Sequence, residues 1–161
     1  KPLGMVHLVH HSDHKVDITT SNRHHPLESI IRFTFTLFGV FIVGAPIAIV
    51  FIYQSLSLIT SQFIHANIKI SRKVDKLLSY VIISPDMHKI HHHHKLPYTD
   101  ANYGNIFSLW DRVFGTYIEL DRDKIVYGVD TFPDEAKNSS LIELLKQPFQ
   151  GYRKPTGVEK V

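Results

Sequence analysis

FTFTLFGVFIVGAPIAIVFIYQSLSLITSQFIHANI, residues 33–68, is a run of 36 positions without Asp, Glu, Lys or Arg. As one helix it would extend about 54 Å, nearly twice the roughly 30 Å hydrocarbon core of a bilayer. Gly39, Gly44 and Pro46 interrupt it. Gly44-Ala45-Pro46 is the natural break, because proline has no backbone N–H to give and crowds the preceding turn. The stretch therefore predicts two helices, approximately 30–43 and 47–65, folded back on each other as a membrane hairpin. Each is short for a full span, which favours shallow or tilted insertion. Lys15, Arg23 and Arg32 precede the run, Lys69, Arg72, Lys73 and Lys76 follow it, and its tip carries no charge. By the positive-inside rule both ends face the cytoplasm. The alternative is a buried hairpin in a soluble core, and a charge-free run this long weighs against it.

On either side of the hairpin lies the same pattern: His7-x-x-His10-His11 and His88-x-x-His91-His92. On a helix, positions i, i+3 and i+4 share a face, so each copy offers three imidazoles to one point. Three neutral nitrogen donors make a half-site for a divalent transition metal, and two half-sites predict a shared centre for one or two ions. A hairpin returns the chain to the side it left, so both clusters lie on one membrane face. His65 sits where the second helix re-emerges and can join them. Around a helix starting at His88, His93 and His94 point away, which predicts a solvated polar face for them. His24 and His14 are left outside the ligand set.

At 161 residues the chain fits one domain, 1–149, followed by a flexible tail, 150–161. The net charge of +3 does not by itself imply nucleic acid, and no recognition motif for it is present. The absence of cysteine excludes disulfides, Cys-ligated zinc, iron–sulfur clusters and thiolate-bound haem within this chain. The chain opens on Lys1 rather than Met, which reads as a piece of something longer. Residues 7–14 read as helix, and residues 71–83 as an interfacial amphipathic helix with Val74, Leu77, Leu78, Val81 and Ile82 on its apolar face. Ser84-Pro85-Asp86 offers a turn and a capping carboxylate for the second histidine helix. Residues 118–129 read as an extended stretch and 140–145 as a short helix. The fold expected is all-α: a membrane hairpin with a cytoplasmic, histidine-rich helical cap.

Six ordered motifs carry a resemblance. They are His7-x-x-His10-His11-Ser12-Asp13, Arg23-x-His25-Pro26-Leu27-Glu28, Phe63-x-His65-Ala66-Asn67, Pro85-Asp86-Met87-His88-x-x-His91-His92, Asn102-Tyr103-Gly104 and Trp110-Asp111-x-x-Phe114-Gly115-Thr116-Tyr117. Together they resemble the fatty acid hydroxylase/sterol desaturase superfamily, most closely its bacterial-type sterol desaturase branch. The resemblance implies an integral-membrane, non-haem di-iron oxygenase acting on a fatty-acyl or sterol-like lipid with O2. It implies His7, His10, His11, His65, His88, His91 and His92 as metal ligands, with His25 a further candidate, and two Fe ions, for which Zn can substitute. The family's upstream H-x(3–4)-H motif is missing and is expected just before Lys1.

Ligating imidazoles donate their other N–H to a carboxylate or carbonyl, which makes Asp111, Asp86, Asp100 and Glu28 candidate supporting acids, Asp111 first. Nitrogen-rich sites with open positions suit redox-active iron, whereas zinc has no redox chemistry. With no cysteine and no dinucleotide fingerprint, electrons must come from an external donor of ferredoxin or cytochrome b5 type, on the cytoplasmic face of a bacterial inner membrane or the ER. Two rivals stand beside the oxygenase. A membrane metal transporter would place its histidines mid-helix to line a path. A zinc hydrolase would carry about three ligands and a carboxylate base, as in H-E-x-x-H, which this sequence lacks.

Overall fold

A computed structural model of the protein describes residues 2–151 and 155–156, and among them there is no strand. Helix α1 spans Pro2–His11, α2 Pro26–Val43 and α3 Ile47–His65. The short helices α4 (Arg72–Leu78), α5 (Pro85–His91), α6 (Leu109–Val113), α7 (Glu135–Asn138) and α8 (Leu141–Lys146) follow.

The apolar run folds as its punctuation predicts. Pro26 occupies the first turn of α2, where no N–H is needed, and the His25 ring accepts the Leu27 N–H at 3.1 Å. Gly44 ends α2 in the left-handed region (φ 65°, ψ 34°), a conformation that costs glycine nothing. Pro46 then caps α3. Both helices are long and apolar enough to cross a membrane, and only 6% of either apolar window is buried, so neither is the core helix of a soluble fold. Nine large apolar side chains of α2 and eight of α3 are exposed, Phe41 by 85% and Val43 by 79%. At about 1.5–3 kcal/mol for each such side chain fully withdrawn from water, leaving them wet forfeits more than the roughly 5–15 kcal/mol that stabilises a typical domain. Lipid is the medium in which this surface is stable.

The two open ends of the hairpin meet at one place. The start of α2 packs against α1, and the end of α3 packs against α5. A small apolar core of Ile64, Ile83 and Met87, flanked by Phe63 and Tyr117, holds α3 to α5. Behind α1, the turn at 147–149 closes the far side, with Arg23 tying Ser12 Oγ (3.1 Å) to the Asn138 carbonyl.

Three expectations are corrected. The amphipathic helix stops at Leu78 instead of reaching residue 83. Beyond it the backbone pairs sideways: Ile83 N–H donates to Ile106 O (3.0 Å), Ser108 N–H to Val81 O (3.3 Å), and Arg112 takes the Ser79 carbonyl (2.9 Å). The stretch at 118–129 is not extended throughout. A 3-10 turn at Arg122–Lys124, capped by Asp121, breaks it, and a single bridge joins His93 to Tyr127. The cap of α5 is the Ser84 hydroxyl, which accepts the Met87 N–H at 3.3 Å, while Asp86 lies inside the first turn and pairs with Arg122. The short helix near 140–145 is present as α8. Most of the expected tail falls outside the described residues; Thr156 N–H donates to Asp130 at 2.8 Å.

Candidate metal centre

Helices α1 and α5 carry the two motifs, and the end of α3 brings His65 between them. The seven imidazoles form two groups, within each of which the potential donor atoms lie within 4.8 Å of one another: His10, His65, His88 and His92, and His7, His11 and His91. The partition crosses the motifs. In each copy the i and i+4 rings stay together, and the i+3 ring reaches across to the other copy's pair. His10 thus joins His88 and His92, and His91 joins His7 and His11.

Nε2 atoms face one another throughout. His65 Nε2 lies 3.1 Å from that of His10, 3.1 Å from that of His92 and 3.0 Å from that of His88. His88 and His92 are 3.2 Å apart. In the second group, His11 and His91 approach to 3.0 Å, and His91 and His7 to 3.5 Å. Nitrogens held about 2.1 Å from one ion stand about 3.0–3.4 Å apart when adjacent, so these spacings are those of co-ligands.

The positions of the protons agree. His65 Nδ1–H donates to the Ser61 carbonyl (2.6 Å), His91 Nδ1–H to the Ala101 carbonyl (2.7 Å), and His7 Nδ1–H to Glu28 Oε1 (2.9 Å). Each bond leaves a bare lone pair on the inward Nε2 of the neutral ring. One lone pair on His65 cannot accept hydrogen bonds from three neighbouring rings at once. The buried Nδ1 atoms of His10, His11, His88 and His92 have no hydrogen-bond partner among the described residues. Burial pushes His10, His11, His88 and His92 well below the usual histidine range, and neighbouring histidines push them further. Burial, then His7, pushes His91 down to about 3. At neutral pH these rings are neutral donors, the form a metal requires.

The remaining candidates separate. Glu28 touches the cluster through His7. Asp111 does not bond an imidazole: its oxygens are taken by the N–H groups of Tyr103 (2.7 Å) and Gly104 (2.9 Å) and by the Thr116 hydroxyl (2.7 Å). It thereby braces the loop that follows Ala101, whose carbonyl holds His91. Gly104 is needed there, since a Cβ would come within 2.5 Å of Ile83 and 2.9 Å of Asp111. Asp86 faces Arg122, and Asp100 is exposed at the end of a 3-10 turn. His25 spends both ring nitrogens on backbone, accepting from Leu27 and donating to the Leu145 carbonyl (3.1 Å), and so caps α2.

His93 is not solvated. α5 ends at His91, so 100° per residue no longer applies, and the ring turns inward to 2% exposure, accepting the Val126 N–H. His24 lies outside both H-x-x-H-H motifs and still borders the cluster. Arg32 donates to its Nε2 (3.2 Å), which leaves its proton on Nδ1, 3.2 Å from the Glu28 oxygen that also holds His7. The signal was there in the His24/Glu28 i,i+4 spacing.

A cavity of about 260 Å³ adjoins both groups, with His7, His10, His65, His88 and His91 on one side and Arg32, Ser61, Tyr103 and Asn105 on another. Its lining includes Glu28 and Arg32 near the start of α2 and Ser61, Ile64 and His65 at the end of α3.

The chain is similar in sequence to known proteins. Human alkylglycerol monooxygenase is 25% identical over 125 residues, which cover 76% of this chain and 26% of the human protein. The alkylglycerol monooxygenase of Danio rerio is 26% identical over 145 residues, 89% of this chain and 30% of its own length. The ornithine lipid hydroxylase of Rhizobium tropici is 22% identical over 115 residues, 71% and 34% respectively. The chain thus spans about a quarter to a third of the length of the curated relatives it matches. No solved structure matches it significantly. The model of the fatty acid hydroxylase family matches residues 2–116, which include all seven clustered histidines, and the chain belongs to that family.

Proposed function

We propose that this chain forms the metal centre of a membrane-bound, non-haem di-iron oxygenase that hydroxylates or desaturates a lipid C–H bond with O2. The observation that carries the reading is the convergence of seven imidazole Nε2 atoms at the open end of an apolar hairpin. His10, His65, His88 and His92 would hold one iron, and His7, His11 and His91 the other. Iron bound there supplies dioxygen reduction and the oxidation of an unactivated C–H bond, which protein side chains alone cannot do.

The chain's own residues do the rest. The Ser61 and Ala101 carbonyls and Glu28 fix the tautomers of His65, His91 and His7, so that each lone pair points inward. The exposed flanks of α2 and α3 let a lipid approach laterally, and Arg32, Ser61 and Asn105 offer hydrogen bonds to its polar end. The names of the relatives, acting on alkylglycerols and ornithine lipids, support a lipid substrate with a polar head. Electrons come from a ferredoxin or cytochrome b5 type donor, because the chain has no cysteine and no dinucleotide motif. The cations flanking the hairpin favour the cytoplasmic face of a bacterial inner membrane or of the ER. A transporter is disfavoured because His65 sits at the end of α3 rather than mid-span.

The test is turnover by membranes containing the full-length protein under 18O2, with iron and a reduced donor supplied. Iron-dependent appearance of 18O in a lipid product, or of a new lipid double bond, is expected. Metal uptake into vesicles with no oxidised lipid would overturn the reading in favour of a transporter.

A further inference from the structure

Beside the hairpin the protein exposes a second apolar surface, which nothing in the metal centre uses. Leu77, Val81, Phe107, Trp110, Val113 and Phe114 are between 51% and 73% exposed. The charges of α6 are turned away from it: Asp111 is buried, and the Arg112 guanidinium lies 3.9 Å from the centre of the Tyr117 ring and donates to the Ser79 carbonyl. Lys73, one helical turn before Leu77, is exposed at the rim.

The position of this surface relative to the hairpin says what covers it. Asn105 Nδ2 donates to Ser57 Oγ at 2.5 Å, and Ser57 lies eight residues before His65 on α3, about 12 Å along the helix. Leu56 and Leu58, on either side of Ser57, are themselves exposed apolar residues of the hairpin. The bridge between Ile82 and Phe107 ties the 77–82 turn to the same loop. The ledge is therefore fastened two turns inside the apolar length of α3, and it continues the surface that lipid already covers.

We propose that the ledge formed by α6 and the 77–81 turn is seated in the same membrane, at the boundary between headgroups and acyl chains, with Trp110 as its interfacial anchor. Tryptophan suits that depth because its ring is apolar and its indole N–H is polar, and a flanking lysine meets the headgroups. The seating rests on the membrane reading of the hairpin and not on the oxygenase chemistry. It has a consequence for access. Tyr103, Gly104 and Asn105 line both the histidine cavity and a groove of about 420 Å³ beside Trp110 and Phe114, so one loop separates lipid around the ledge from the metal centre.

Trp110 is the only tryptophan of the chain, which makes the test direct. The full-length protein, with any tryptophan outside this chain replaced by phenylalanine, would be reconstituted into phosphatidylcholine/phosphatidylglycerol vesicles carrying bromines at graded depths on the acyl chains, and the quenching of Trp110 compared with that by aqueous iodide. Quenching several-fold stronger by bromines near the headgroup end than by iodide, with weaker quenching by bromines at the midplane, is expected. Strong iodide quenching would place the ledge in water and overturn the proposal. Protection from both quenchers would mean that protein covers it, and strongest quenching from the midplane would remove the interfacial depth. Both would also overturn it. None of these readouts depends on iron or turnover, so failure here leaves the oxygenase reading standing, and the reverse.

Discussion

The two histidine groups are made from the same two motifs, yet they are built differently. The group of His10, His65, His88 and His92 is buried throughout, and His65 Nε2 stands at its centre, 3.0–3.1 Å from each of the others. The group of His7, His11 and His91 has one member fewer and a longer gap of 3.5 Å, and the His7 side chain is 35% exposed. Among the described residues the first group is thus the more enclosed and the second the more open. Helix α3 ends at His65 and so serves one group only.

The largest expected effect follows from that. His65→Ala should remove the four-histidine group as a tight site, lowering its iron affinity by more than about 100-fold, since even outer partners of ligands are worth about 10–100-fold. Iron per chain after gel filtration, with helix content checked by circular dichroism, reads this. Equal losses from His65→Ala and His7→Ala would show that the groups are not distinct.

Glu28→Gln should act on the other group. The carboxylate oxygen that fixes His7 also lies 3.2 Å from His24 Nδ1, and the amide would remove the charge that faces both rings. About 10–100-fold weaker metal binding at the three-histidine group is expected, with the four-histidine group unchanged. Competition titration against a chromophoric chelator separates the two. His24→Ala should follow in the same direction by less, because His24 supports Glu28 and not a ligand directly. A loss at both groups would erase the comparison.

A smaller effect is expected from Asp111→Asn. Its carboxylate holds Tyr103 and Gly104, which follow the carbonyl that orients His91. With the loop loosened, affinity at the three-histidine group should fall by up to about tenfold. A spectroscopic change at the metal without loss of folded protein would separate this from simple unfolding.

Much of this was legible in the sequence, and what was not has local causes. Gly44 and Pro46 set the hairpin tip, and the H-x-x-H-H spacing set the faces, because both depend on one helix at a time. The crossing of the motifs was not legible: one helix face predicts three rings at one point, whereas two helices meeting face to face share out the i+3 ring. The Trp-Asp pair marks Asp111 as a supporting acid for an imidazole, but its partners are the Tyr103 and Gly104 N–H groups and the Thr116 hydroxyl, brought in by a loop. The helix predicted through residue 83 failed because Ile83 and Val81 find backbone partners at 106 and 108, contacts that no local pattern encodes. His93 failed for a related reason, since the helix ended two residues before it.

The smallest effect is expected from His94→Ala, and its value is as a boundary. His94 immediately follows the buried His91-His92-His93 run, yet its ring Nδ1 bonds the Val126 carbonyl at 3.2 Å, away from both groups. Removing it forfeits one partly wet hydrogen bond, on the order of 1 kcal/mol of stability, and no ligand. Iron content and chelator competition should match those of the unchanged protein, while His91→Ala in the same assay should open the three-histidine group. If His94→Ala lost iron as His91→Ala does, the line drawn at the end of α5 would be misplaced. The two groups would then have to be redrawn with a ring from beyond the helix.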